Sequence, residues 1–113
     1  MKNKGEKKMK KKVKKENWRW VIIGNDKYGL YYGRVKESDK EITKLKSVRC
    51  YDCRNVFRWY GARGGITSLA ALGVDSTKEN RIGAPCPDAL LTGVVNVFTV
   101  STAAKKSLDE VRW

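Results

Sequence analysis

From Asn17 onward the apolar side chains fall into short blocks separated by polar or glycine-containing breaks. In Trp18-Arg19-Trp20-Val21-Ile22-Ile23, Trp18, Trp20 and Ile22 recur at every second position, which is the period of a strand. Aromatic and β-branched residues suit the pleated, half-buried surface that such a strand offers. Gly24-Asn25-Asp26-Lys27 reads as a turn, because Gly and Asn accept positive φ and Asp can close an Asx turn. A second strand is expected over residues 28–36. Ser38-Asp39-Lys40 then turns the chain into a third, over residues 41–49, so that the three segments form an antiparallel meander.

The second half is more broken. Residues 56–60, Val-Phe-Arg-Trp-Tyr, are strand-like, with Phe57 and Trp59 on one face and Arg58 and Tyr60 on the other. Gly61-Ala62-Arg63-Gly64-Gly65 interrupts them. Thr67 is placed to cap a short helix over residues 68–72, which Gly73 ends. Residues 81–84 predict a brief strand. The two prolines of Pro85-Cys86-Pro87 cannot donate to a ladder and favour an edge or a loop. A buried strand is expected over residues 94–100. Ser101 or Thr102 would cap a C-terminal helix over residues 103–112, with Ala104, Leu108 and Val111 on one face. That helix carries Lys105 and Lys106 early and Asp109 and Glu110 late, against the preference of the helix dipole, so it must be held by docking. The expected fold class is strand-rich α+β. It is a small antiparallel sheet or partly open barrel of about five strands, with one short helix and a C-terminal helix packed on it.

The pattern changes sharply before Asn17. Residues 1–16 hold nine lysines and two glutamates, giving this arm seven of the chain's thirteen net positive charges. With so little apolar surface and so much self-repulsion, residues 1–16 are expected to be a disordered basic arm, and residues 17–113 a single domain. The 113 residues leave room for one domain. No apolar run approaches the ~18–20 residues that span a bilayer, and no apolar segment follows the lysines as a secretory signal would require. The expectation is a cytoplasmic protein that does not engage membranes. Three cysteines, two of them close together, do not make a secreted disulfide framework.

The chain contains no histidine, which removes Ser-His-Asp, Cys-His and two-His metal arrangements together. Its carboxylates are few, and the closest pairs sit in a turn or on a polar helix face. No enzymatic activity, resident metal or cofactor is expected. Cys50 and Cys53 have the spacing of a zinc knuckle or redox pair. Only Cys86 offers a third thiolate, however, and four ligands are usual for structural zinc. Small thiols at a strand–turn junction account for the same pattern. Residues 61–67 could cradle an anion on Gly64 and neighbouring amides, with Arg63 adding a guanidinium fork and Thr67 a hydroxyl, or simply connect a strand to a helix. Arg58, Tyr60 and Arg63 form a candidate ligand face, though an ordinary amphipathic strand shows the same alternation. In the arm, Lys7, Lys8, Lys10, Lys11, Lys12, Lys14 and Lys15 would attract any polyanion, DNA or RNA, through counterion release. A solubilising tail, or an extension upstream of a start at Met9, explains them equally.

Arg58-Trp59-Tyr60-Gly61-Ala62, Leu69-Ala70-Ala71-Leu72-Gly73-Val74, Leu90-Leu91-Thr92 and the run Val100-Ser101-Thr102-Ala103-Ala104-Lys105 form a distinctive combination. It resembles a family of short uncharacterised bacteriophage proteins with a Trp-x-Gly-Ala and a Leu-Ala-x-x-Gly-Val pattern. The resemblance covers roughly residues 20–110 and departs at Arg63-Gly64-Gly65, which reads as a one-residue insertion. It implies a phage or prophage origin and a bacterial host cytoplasm, and brings no catalytic residues. The expected function is that of a non-enzymatic accessory protein acting by binding. Two alternatives stand beside it. One is a nucleic-acid-binding protein using the lysine arm. The other is an antagonist of a host protein or of a phosphorylated small molecule.

Overall fold

The computed structural model describes residues 18–27 and 29–113; the arm at 1–16 with its seven candidate lysines, Asn17 and Tyr28 lie outside the described residues. Strands β1 (Arg19–Asn25) and β2 (Leu30–Val35) make the expected hairpin, with Arg19 opposite Val35 and Gly24 opposite Leu30. The Asn25 side chain closes the turn by accepting from the amides of Lys27 and Gly29, at 3.1 and 2.8 Å.

The segment expected as a third strand starts instead as helix α1 (Asp39–Leu45). The cause is a capping box. Ser38 Oγ accepts from the Glu41 amide at 3.2 Å, and Glu41 Oε1 accepts from the Ser38 amide at 2.8 Å. Lys46, at φ 54°, ends the helix and donates its amide to Ile42 O. This local cap outweighs the strand preference of the β-branched Ile42 and Thr43.

Strand β3 (Ser47–Arg58) then runs for 12 residues through the Cys50–Cys53 stretch and absorbs the strand expected at 56–60. Its ladder with β2 skips a residue. Tyr32 faces Arg54, while Arg34 faces Tyr51. Two steps on β2 thus match three on β3, and Asp52, at φ 52°, is the extra residue of a bulge. Gly33 lies against it. A Cβ there would press into Cys50 Sγ and stand 2.8 Å from the Tyr51 carbonyl oxygen, so only glycine fits.

On its other edge β3 pairs with β5 (Cys86–Thr92) and, further along, with β4 (Arg81–Ile82). Cys86 and Pro87, expected in an edge or loop, thus open an edge strand. Strand β6 (Val94–Thr99) pairs with β1, at the opposite margin of the sheet. Only Gly93 separates β5 from β6. Neighbouring strands lie about 4.8 Å apart, so one residue can join two margins only where the sheet curls until they meet. Hydrogen bonds hold this corner: the Asp26 amide donates to Gly93 O at 2.8 Å, and the Val94 amide to Lys46 O at 3.0 Å. Gly93 has φ 63°, and a Cβ would run into the Asp26 carboxylate. The result among the described residues is a six-stranded antiparallel sheet, curled and partly open, with three short helices. The α+β class holds, with one helix more than expected.

Both faces of the sheet are covered. The curl encloses Val21, Ile23, Val35, Val48, Cys50 and Leu91, plugged by Ile42 of α1. On the other face α2 (Ile66–Leu72) and α3 (Thr102–Asp109) bury Leu69, Ala70, Ala104 and Leu108 against Ile22, Tyr32 and Val56. This two-sided burial explains why Val21–Ile23 is an unbroken apolar run rather than an alternation. Two expectations fail here. Thr67 does not cap α2, which begins one residue before it with Gly65 as N-cap. In β6 only Val94 is buried, and Val95 is 59% exposed because it is the extra residue of a bulge opposite Gly24 and Asn25. Ser101 does cap α3, accepting from the Ala104 amide at 3.0 Å.

Arg54 fastens the end of α3. It is 6% exposed, and its guanidinium donates to four carbonyls: Ile82 (3.1 Å), Gly83 (2.7 Å), Leu108 (3.2 Å) and Val111 (2.7 Å). Arg54 thus brings a second positive charge, from the sheet, to a helix end whose last turn already carries Lys106. Beside it, Tyr32 donates its hydroxyl to Asp109 at 2.6 Å, and Lys105 bridges to Asp109 at 2.7 Å. Burial pulls the Arg54 pKa down, and Asp109 and Tyr32 oppose this. The Tyr32 phenol is pushed well above its usual value, by burial first and then by its bond to Asp109.

Arg54→Met strands four carbonyls and should cost about 3–5 kcal/mol in urea unfolding. Lys105→Ala removes an exposed i,i+4 pair and a cation–π contact 4.5 Å from the centre of the Trp20 ring, and should cost about 1 kcal/mol. Alkaline pH tests the neighbouring phenol. An unfolded tyrosine ionises near pH 10, while folded Tyr32 keeps its proton. Its contribution is complete below about pH 10 and is lost as pH rises above that. In unfolding free energy measured from pH 8 to 11.5, Tyr32→Phe should flatten the alkaline fall relative to the parent chain.

Candidate functional site

The hairpin register builds a cationic–aromatic patch at the end of the sheet where the described chain begins. Arg19 pairs with Val35, so Trp18, one residue earlier, falls beside Lys36. Arg34 pairs with Tyr51 of β3, which brings a second aromatic ring to the same place. The rings of Trp18 and Tyr51 meet edge to face, with centroids 5.0 Å apart at 81°. The Arg34 guanidinium carbon stands 4.4 Å from the centre of the Trp18 ring. Lys36 Nζ lies 5.1 Å from Trp18 and 5.2 Å from Tyr51. Each such pairing contributes about 0.5–1 kcal/mol at a wet surface, enough to hold two like charges side by side.

The bulge supplies the counter-charge. Asp52 accepts from Arg34 Nε at 2.9 Å, and one ladder step away Arg49 bridges to Asp88 at 3.1 Å. Among these five charged groups Asp52 and Asp88 balance two of the three cations, leaving a surplus of one. The patch is thus a structured anchor, and the larger charge belongs to the lysines of residues 1–16.

The face expected from Arg58, Tyr60 and Arg63 is differently arranged. Arg58 bridges to Glu79 at 3.2 Å. Lys78 Nζ stands over the Tyr60 ring at 5.9 Å, and the Tyr60 amide donates to Asn80. In the glycine-rich loop the amides point inward. Ala62 donates to Gly73 O, Arg63 to Ser68 Oγ and Gly64 to Gly61 O, at 2.9–3.1 Å. Thr67 lies inside α2. Three successive donors of the proposed anion cradle are therefore engaged, one within the loop and two by Ser68 and Gly73 of the helix that follows.

Cys50 and Cys53 are buried and Cys86 is exposed. Among the described residues no group of three His, Cys, Asp or Glu side chains is gathered closely enough to hold a metal ion. Cys50 is pushed above the usual thiol range, first by its interaction with the Cys53 thiol and then by burial. A shallow groove of about 770 Å³ opens between the β1–β2 turn, β6 and the start of α2. Phe57, Trp59, Asn55 and Asn96 are among its walls, and among the described residues that line it Asp26 is the one carboxylate.

A family model described as a domain of unknown function, DUF6948, matches residues 18–108. The chain belongs to this family. The DUF6948 match starts at Trp18 and ends at Leu108, so it takes in the patch, Arg54 and the docked part of α3, and leaves the arm outside. These bounds lie within two residues of those drawn from the aromatic and glycine motifs. No curated protein and no solved structure gives a significant match. No helix among the described residues is long and apolar enough to cross a membrane.

The patch was within reach of the sequence. Counting back along both arms of the hairpin from the Asn25 turn pairs Trp18 with Lys36, and Arg34 alternates with Lys36 on one face. Tyr51 was out of reach, because its register depends on the bulge.

Proposed function

We propose that the protein is a non-enzymatic nucleic-acid-binding domain in which the lysine arm and the patch at Trp18, Arg34, Lys36 and Tyr51 form one surface. The carrying observation is their junction: the two patch cations flank the ring of the residue at which the arm joins the fold. The arm supplies attraction through counterion release, as lysines do without reading base edges. The patch gives that diffuse attraction a fixed origin on a rigid sheet. Lys36 is the exposed cation there, and Tyr51 and Trp18 hold it in place. In the bacteriophage setting implied by the motif resemblance, such a protein would work on DNA or RNA in the host cytoplasm. The reading of Arg63 and the glycine loop as a phosphate trap is less well supported, since the amides of Ala62, Arg63 and Gly64 already donate to Gly73 O, Ser68 Oγ and Gly61 O.

The test is binding of the full chain to a fluorescent oligonucleotide between 50 and 300 mM salt. Replacing Lys7, Lys8, Lys10, Lys11, Lys12, Lys14 and Lys15 by Gln should weaken binding and cut the log–log salt slope by several units, at about 0.9 for each phosphate no longer neutralised. Arg34→Ala with Lys36→Ala in the otherwise intact chain should reduce the slope by about 1–2. Binding unchanged by either set would sink the proposal.

A further inference from the structure

Every cysteine of the chain lies in one small region of the sheet, although Cys86 is 33 residues beyond Cys53. In a regular strand Cys50 and Cys53, three apart, would point to opposite faces. The bulge at Asp52 removes that parity, and both side chains join the core enclosed by the curl. They surround Gly33 together: a Cβ built there would press on Cys50 Sγ and lie 3.3 Å from Cys53 Cα. On the next strand Cys86 is the direct ladder partner of Cys53. Directly opposed residues of an antiparallel pair have Cα atoms about 4.5–5.5 Å apart, inside the roughly 4.4–6.8 Å range that disulfides span. Cys86 is exposed at the open end of an edge strand, with its Sγ 3.2 Å from the Asp88 carbonyl.

We propose that these residues form a thiol relay in which Cys86 reacts with a low-molecular-weight disulfide, Cys53 resolves the adduct into a Cys53–Cys86 cross-strand disulfide, and Cys50 supports Cys53. In the first step the Cys86 thiolate attacks one sulfur of the incoming disulfide RSSR, forming Cys86–S–S–R and releasing RS⁻. In the second, the Cys53 thiolate attacks Cys86 Sγ and displaces the other RS⁻. Two protein thiols lose two electrons and two protons, and RSSR is reduced to two RSH. Cys50 holds its own proton, donates it towards the Cys53 sulfur and thereby favours the thiolate that must attack. The product ties the free end of β5 to the middle of β3, next to Arg54. This chemistry does not depend on the nucleic-acid reading.

The test treats the folded full chain with oxidised glutathione and follows intact mass, then maps the linked peptides. The expected course is a transient glutathione adduct on Cys86, then a monomer lighter by two hydrogens and linked Cys53 to Cys86. Cys53→Ser should stop at the adduct, and the exposed-site variant Cys86→Ser should stay reduced under the same conditions. Cys50→Ala should leave the pairing intact but slow the second step about tenfold at neutral pH. A permanent adduct in the parent chain, a Cys50–Cys53 link, or a dimer joined through Cys86 would each overturn the relay. An unchanged second step in Cys50→Ala would remove the part assigned to Cys50.

Discussion

A single buried guanidinium decides how the halves of this fold meet. Arg54 leaves the middle of the longest strand on the helix-covered face and satisfies carbonyls from β4 and from the last turn of α3. The C-terminal helix carries Lys106 in its last turn, and Arg54 adds a second cation bonded to the carbonyls of its end. A lysine could not replace this, since four acceptors in a fork-like arrangement need the planar donors of arginine. The cost of burying the charge is offset by those four bonds and by the nearby Asp109 carboxylate, itself held by Tyr32 and Lys105.

Position 54 owes its orientation to the bulge. Without the extra residue at Asp52, Arg54 would face into the curl and Cys53 towards the helices. One left-handed residue therefore sets the direction of the arginine, places both thiols in the same core and turns Asp52 towards Arg34. Gly33 is the complementary requirement on β2.

Much of the architecture was legible because it rests on local signals. The alternating Trp18–Ile22 pattern, the Gly-Asn-Asp turn and the Ser101 cap each predict their element from a few adjacent residues. What stayed hidden was non-local or contested. Ser38 and Glu41 form a capping box that outweighs the strand preference of Ile42 and Thr43. Residues 86–92 begin with Cys-Pro, and their strand exists because the edge of β3 is free to pair. The surface divides in the same way: Trp18 and Lys36 meet by counting along one hairpin, whereas Tyr51 joins them through the bulged register of β3.

The corner at Gly93 has a consequence for how such a chain can vary. β5 and β6 are one continuous run that changes partner at a single residue, each half pinned to a different strand. An insertion of one amino acid there would add to the extra residue that β6 already carries beside the corner, where Asn96 and Val94 face the adjacent Gly24 and Asn25. It would slide β6 by one position along β1, moving Val97 out of the enclosed core and Phe98 away from the helices. Length polymorphism in this fold should therefore concentrate in its helical and glycine-rich connections, and the junction of β5 with β6 should behave as a fixed spacer.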